Sequence, residues 1–206
     1  MDLKILVRQA FKNAYQVRSN GKLGNSNTLR SAKFVSEVAN LLHSEIGVAK
    51  DIKLCVQQVD DQGYKNSGEW LLDIVISRTT EIRDPEIGHS KAFINSKILW
   101  AVESESAVGL PDFAADFGKL MVVKSEKYLY LNGLRPNLSD TKTYISRRLK
   151  TAEQILLESG IKGELYLGFW PSPAKDVLSG WDSENEETLI NKIELFMWNG
   201  ASFDRK

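Results

Sequence analysis

Apolar residues recur with a helical period at the start of the chain. Leu3, Val7, Ala10, Phe11, Ala14 and Tyr15 share one face and predict a helix over 2–17. The run from Ser19 to Asn27 is rich in Gly, Asn and Ser and reads as a loop or hinge. A second stripe, Phe34, Val38, Leu41, Leu42 and Ile46, predicts a helix over 28–47 that stops at Gly47. The period then drops to two. Ile52, Leu54 and Val56 alternate with polar residues, as in a strand, and Asp60 to Gly68 reads as a turn. Trp70 to Ile76 is almost wholly apolar and reads as a strand buried on both faces, with Asp73 inside it. Residues 78–96 form a charged connection without a clear period. Ile98 to Val102 is a further buried strand that ends in Glu103-Ser104-Glu105.

Pro111 opens a helix to about 121, with Phe113, Phe117, Leu120 and Met121 inward. Lys127 to Leu131 reads as a short strand closed by Asn132-Gly133. Ser139 or Asp140 caps a long helix ended by Gly160. Leu165 to Phe169 is a strand stopped by Trp170-Pro171. Helix over 187–192 and a last strand over 193–198 follow. The class is α/β in one domain, with 1–27 as a basic N-terminal addition, 28–169 as the core and 170–206 as a C-terminal extension.

Composition narrows the partners. The chain has 206 residues, 27 Lys+Arg against 27 Asp+Glu, one Cys and two His. One cysteine excludes a disulfide scaffold, and Cys55 reads as buried and inert. A zinc site of thiolates and imidazoles is excluded too, so His43 and His89 read as packing or surface residues. No apolar run approaches the ~20 residues of a membrane span, and Lys4 and Arg8 break any signal-peptide core. These features predict a cytoplasmic protein. Zero net charge hides an asymmetry: residues 1–34 carry seven bases against Asp2 alone, while 151–206 hold ten acids and five bases. A neutral protein so divided can still present one basic face.

Three acids stand out against this background. An ionised Asp73 inside an apolar strand is costly unless paired or bound to a cation. Glu103 and Glu105, two apart at a strand end, point to one face. Three carboxylates meeting at one sheet edge suit a hard cation such as Mg²⁺ or Mn²⁺. The plainer reading is an Asp that closes a buried stretch and two solvated glutamates. No nucleophile elbow and no phosphate-binding Gly-rich loop with Lys-Ser/Thr occurs.

The α-β-β-β-α-β order with these acids resembles the PD-(D/E)XK nuclease superfamily, of restriction-endonuclease-like fold. The resemblance maps the first acid onto Asp73 in Trp70-Leu71-Leu72-Asp73-Ile74-Val75, and Glu-x-Lys onto Glu103-Ser104-Glu105. Leu72 replaces the usual Pro, and Glu105 replaces the Lys. Lys119, in Asp116-Phe117-Gly118-Lys119-Leu120, is the residue that can restore the positive group from the next helix. A helix acid would be Glu37 or Glu45, with Glu37 favoured by its mid-helix place. The resemblance implies Mg²⁺- or Mn²⁺-dependent phosphodiester hydrolysis in nucleic acid, DNA first. Asp73 and Glu103 would hold the metal. Glu105 or Lys119 would handle the attacking water, and Glu37 would act through a water. Tyr144, Arg147, Arg148 and Lys150, with the basic N-terminal segment, are candidate phosphate contacts. A homodimer is compatible with cutting both strands. The competing expectation is a nuclease-fold protein that has lost catalysis and serves in binding or regulation.

Overall fold

The computed structural model describes residues 2–16, 27–47, 49–56, 58–60, 63–65, 71–83, 91–106, 109–134, 140–173, 181 and 185–206. Helices α1 (Leu3–Gln16) and α2 (Asn27–Ile46) open the chain. Strand β1 (Ile52–Val56) follows, then a small hairpin of β2 (Gln58–Asp60) and β3 (Gly63–Lys65). That hairpin falls where the polar composition suggested only a turn. Strands β4 (Ile74–Arg83) and β5 (Lys91–Glu105) precede α3 (Leu110–Met121) and β6 (Ser125–Leu134). Then come α4 (Thr141–Ser159), β7 (Glu164–Pro171), α5 (Glu186–Asn191), β8 (Glu194–Trp198) and β9 (Phe203–Arg205).

Seven strands form one mixed sheet in the order β1-β4-β5-β6-β7-β8-β9. The antiparallel meander β1, β4, β5 passes through α3 into β6, parallel to β5. Helix α4 carries the chain on to β7, parallel to β6. Each parallel step needs such a crossover, because a tight turn can only reverse the chain. The two antiparallel strands β8 and β9 close the edge. Among the described residues, no helix is long and apolar enough to cross a membrane.

Helices cover both faces of this sheet, and alternation along each strand feeds two cores. On one face, α1, α2 and Leu189 of α5 pack with Ile74, Ile76, Trp100, Val102, Leu129 and Leu131. On the other, α3 and α4 pack with Val75, Ala101, Tyr128, Tyr130, Leu165, Leu167 and Phe169. The first helix is therefore no appendage. Its residues Val7, Ala10, Phe11 and Ala14 are fully buried, and Phe11 meets Trp181 edge to face at 4.8 Å. The C-terminal segment supplies Trp181, Leu189, Ile193 and Leu195 to the same core, so 170–206 completes the fold as well.

Several boundaries differ from those predicted by composition. Strand β4 begins at Ile74, so Asp73 sits in a bend just before it, and Leu71 is exposed. Of the charged connection over 78–96, residues 78–83 and 91–96 form the outer half of the β4–β5 hairpin. It is exposed on both faces, which is why no burial pattern marks it. The inner part of the hairpin is irregular at Ile76/Ser77 and Arg78/Thr79, near where the strands leave the core. Strand β6 runs on through Asn132 and Gly133 to Leu134, and β7 includes Trp170 and Pro171. The third helix matches its apolar spacing, with Phe113, Phe117 and Leu120 buried. The fourth is capped by Asp140, which accepts the Thr143 backbone N–H at 2.9 Å, and ends at Gly160 with φ 63°. The 19–26 loop, Trp70 and His89 lie outside the described residues.

Gly133 links the sheet to the acidic strand end. A Cβ there would lie 2.9 Å from the Cα and carbonyl oxygen of Ser106 and from Cβ of Ser172. Backbone can approach that closely only past a glycine. Gly133→Ala should therefore lower stability by about 1–3 kcal/mol, read as a lower urea midpoint. An unchanged midpoint would mean the strand ends separate without strain.

Candidate functional site

The meander brings the start of β4 beside the end of β5, with Ile74 opposite Val102. The acids at these ends hold each other's backbone. The Asp73 N–H donates to Glu103 Oε1 at 3.3 Å, and the Ser104 N–H donates to Asp73 Oδ2 at 2.8 Å. Each carboxylate thus satisfies an amide that the strand ladder leaves over. Helix α3 covers this end of the sheet. From it Lys119 Nζ reaches Glu103 Oε2 at 3.3 Å and Asp116 Oδ1 at 2.7 Å. The helical i,i+3 spacing puts Asp116 and Lys119 on one side of α3.

Burial sets the electrostatics. The Glu103 side chain is only 2% exposed, while that of Lys119 is 38% exposed. Burial first, and then repulsion from Asp73, push the Glu103 carboxyl up to about 8, although Lys119 pulls it down. Burial disfavours the Lys119 ammonium, but its hydrogen bond to Asp116 and the charge of Glu103 outweigh this and hold it above its ordinary range. The site therefore keeps a firm cation beside a carboxyl that ionises reluctantly.

Strand β6 extends the site. Tyr130 lies opposite Glu103 and Asn132 opposite Glu105 in the parallel register. Both are fully buried. Burial, and then the charges of Asp116 and Glu105, raise the Tyr130 phenol well above its usual range, so it stays neutral. From α4, Arg148 Nε donates to Tyr144 Oη at 3.3 Å, and Tyr144 Oη donates to Asn132 Oδ1 at 3.0 Å.

The structure brings Asp73, Glu103 and Lys119 together. It does not unite all three expected acids into one ligand set. Among the described residues, no group of three His, Cys, Asp or Glu side chains is arranged to hold an ion. Glu105 is half-buried two residues on, beside Asn132. Glu37 has other partners. It belongs to α2, across the sheet from α3, where it pairs with Lys33 at 2.8 Å and accepts from Asn13 at 2.9 Å. Glu45 is exposed near the end of the same helix. Arg148 turns inward, only 8% exposed, whereas Arg147 and Lys150 stay at the surface. Arg30 is buried and Lys33 is ion-paired, so the basic N-terminal segment is not simply a free basic face. Cys55 is a buried free thiol.

Asp116, Tyr130 and Asn132 are the polar neighbours that sequence reasoning assigned no role. The i,i+3 pairing of Asp116 with Lys119 was a usable signal. So was the alternation Tyr128, Tyr130, Asn132, once β6 is known to continue past Leu131.

Glu103 yields a pH prediction. Below its ordinary value of 4.5 the carboxyl is protonated in both folded and unfolded chains. Between there and about 8 the unfolded chain releases the proton while the folded one retains it. The folded state binds more protons, so stability falls as pH rises across that window. Unfolding midpoints measured in EDTA should drop by an amount on the order of a few kcal/mol in stability, and Glu103→Gln should flatten the slope. A wild-type midpoint that rises from pH 5 to 8 would contradict this. No protein-family model matches the chain, and no curated protein matches it.

Proposed function

We propose that the protein is a metal-dependent nuclease that hydrolyses phosphodiester bonds, with DNA as the first substrate to test. The observation that carries this reading is the Asp73–Glu103 clasp with Lys119 held 3.3 Å from Glu103. The order α2, β1, β4, β5, α3, β6, with the acids at the junction of the second and third of these strands, supports a restriction-endonuclease-like core. The acids also sit at the carboxyl end of β5, at the edge where ligands of open α/β sheets bind.

The donor set fits Mg²⁺ or Mn²⁺. It is made of carboxylate oxygens, and Mg²⁺ is usually held by one or two carboxylates with water completing the shell. Asp73 repels Glu103, and a cation between the two carboxylates would relieve that repulsion. Asp73 and Glu103 would hold the ion, which supplies an activated water and neutralises phosphate charge. Asp73 is kept in place by the Ser104 N–H. Lys119, anchored by Asp116, offers a fixed cation to the phosphate. Glu105, half-buried at the strand end, is the carboxylate placed to orient water.

One observation favours a second reading. Both Glu103 oxygens already have protein partners, Asp73 N–H and Lys119. A closed, self-satisfied cluster of this kind suits a nuclease-fold protein that binds nucleic acid without cutting it. Metal titration and cleavage assays separate the two.

Wild type should bind Mn²⁺, and Asp73→Ala should lose that binding. With Mg²⁺, wild type should cleave DNA, Glu103→Ala should be inactive, and Lys119→Met should lose about 10²-fold in rate. Cleavage that survives in Glu103→Ala would mark a contaminant. Failure of wild type to bind Mn²⁺ would leave the binding role.

A further inference from the structure

Two orphan donors stand beside the acids. Tyr130 Oη and Asn132 Nδ2 are buried and find no hydrogen-bond partner among the described residues. Tyr130 lies beside Glu103 on the same face of the sheet. Its ring is gripped edge-on by Phe113 at 5.1 Å and Phe117 at 5.4 Å, so the hydroxyl cannot swing away. Asn132 shares its face of β6, two residues on and beside Glu105.

The direction of the Asn132 amide is dictated from behind. A guanidinium only donates, so Tyr144 Oη accepts from Arg148, and it donates its own proton to Asn132 Oδ1. The Asn132 NH₂ is thereby left facing away from Tyr144. Arg148 is itself immobilised, 5.1 Å from the Phe113 ring centre and 5.0 Å from that of Tyr144. A cation at the head of the chain polarises each following bond and makes the terminal donor a better partner for an anion.

Leaving a buried hydroxyl unmatched costs stability, and phenylalanine would fill the same space without that cost. No contact among the described residues explains why the oxygen is there. A ligand atom does. We propose that Tyr130 Oη–H and Asn132 Nδ2–H₂ are the oxygen-binding donors of this site and take a phosphate oxygen of the substrate, with Arg148 and Tyr144 as positioning residues. The proposal rests on the phosphodiester reading and adds to it the groups that grip the substrate. Glu105 and Tyr144, the neighbours of the pair, are half-buried.

The test uses inorganic phosphate as the probe, on the ¹⁵N-labelled full chain, with and without Mg²⁺. The Asn132 side-chain amide signals, identified by their absence in Asn132→Leu, should shift saturably. Tyr130→Phe should melt at the same or a higher temperature than wild type, yet bind phosphate about tenfold more weakly. Its Mn²⁺ affinity should stay within about twofold of wild type, since no ligand to the ion is touched. Arg148→Met should also weaken phosphate binding, and Arg148→Lys should not restore it, because an ammonium lacks the planar fork. If Arg148→Met does not fold, Tyr130→Phe alone decides. An Asn132 amide unmoved by phosphate overturns the proposal. So does a Tyr130→Phe variant with wild-type phosphate affinity, whatever its melting temperature. Failure of the metal reading is separate. A chain that binds no Mn²⁺ but shifts at Asn132 keeps the donors and loses the ion, and the converse keeps the ion and loses the donors.

Discussion

Much of this end of the molecule depends on one buried carboxylate. Glu103 is removed from water at the end of a central strand, and a charge there is tolerable only if its oxygens are matched. The matches come from two directions. The Asp73 amide closes the start of β4 against β5, and Lys119 ties α3 to the sheet. The same requirement that satisfies Glu103 therefore gathers an acid pair and a cation around it. Asp73 returns the bond through Ser104, so neither strand end shifts without exposing an unpaired group.

The rest of the architecture keeps that cluster in place. Two apolar layers clamp the sheet, one from α1, α2 and α5, the other from α3 and α4. The aromatic contacts among Phe113, Phe117 and Tyr130 fix α3 over β6 and hold Asp116 and Lys119 at their posts. Gly133 allows the backbone of Ser106 to cross close by, which sets where the acidic strand leaves the sheet. Stability and site geometry are thus carried by the same packing.

Legibility differed by element for physical reasons. Helices with a wide apolar stripe, such as α1 and α3, were plain because burial on one side of a helix writes a 3.6-residue period. Strand β5 was plain in its buried half and invisible in its outer half, where exposed Lys, Asn and Ser residues leave no alternation. Asp73 was conspicuous because an acid beside Ile74, Val75 and Ile76 breaks an apolar run. Its true place in a bend was not, since one bend residue leaves no period. Glu37 shows the limit of local spacing. Helical spacing placed it on α2, but which face of the sheet α2 covers depends on contacts far apart in the chain.

The order of elements, their inward faces and the unusual acids at Asp73 and Glu103 were written locally, because each depends on neighbours within a few residues. The partnerships were not. Lys119 meeting Glu103 and Tyr144 meeting Asn132 join residues from different elements, and Tyr130 Oη ends without a hydrogen-bond partner among the described residues. A hydrogen bond or a desolvated charge depends on what stands within a few ångströms. That distance is set by the packing of layers and strand register, which no short stretch of sequence contains.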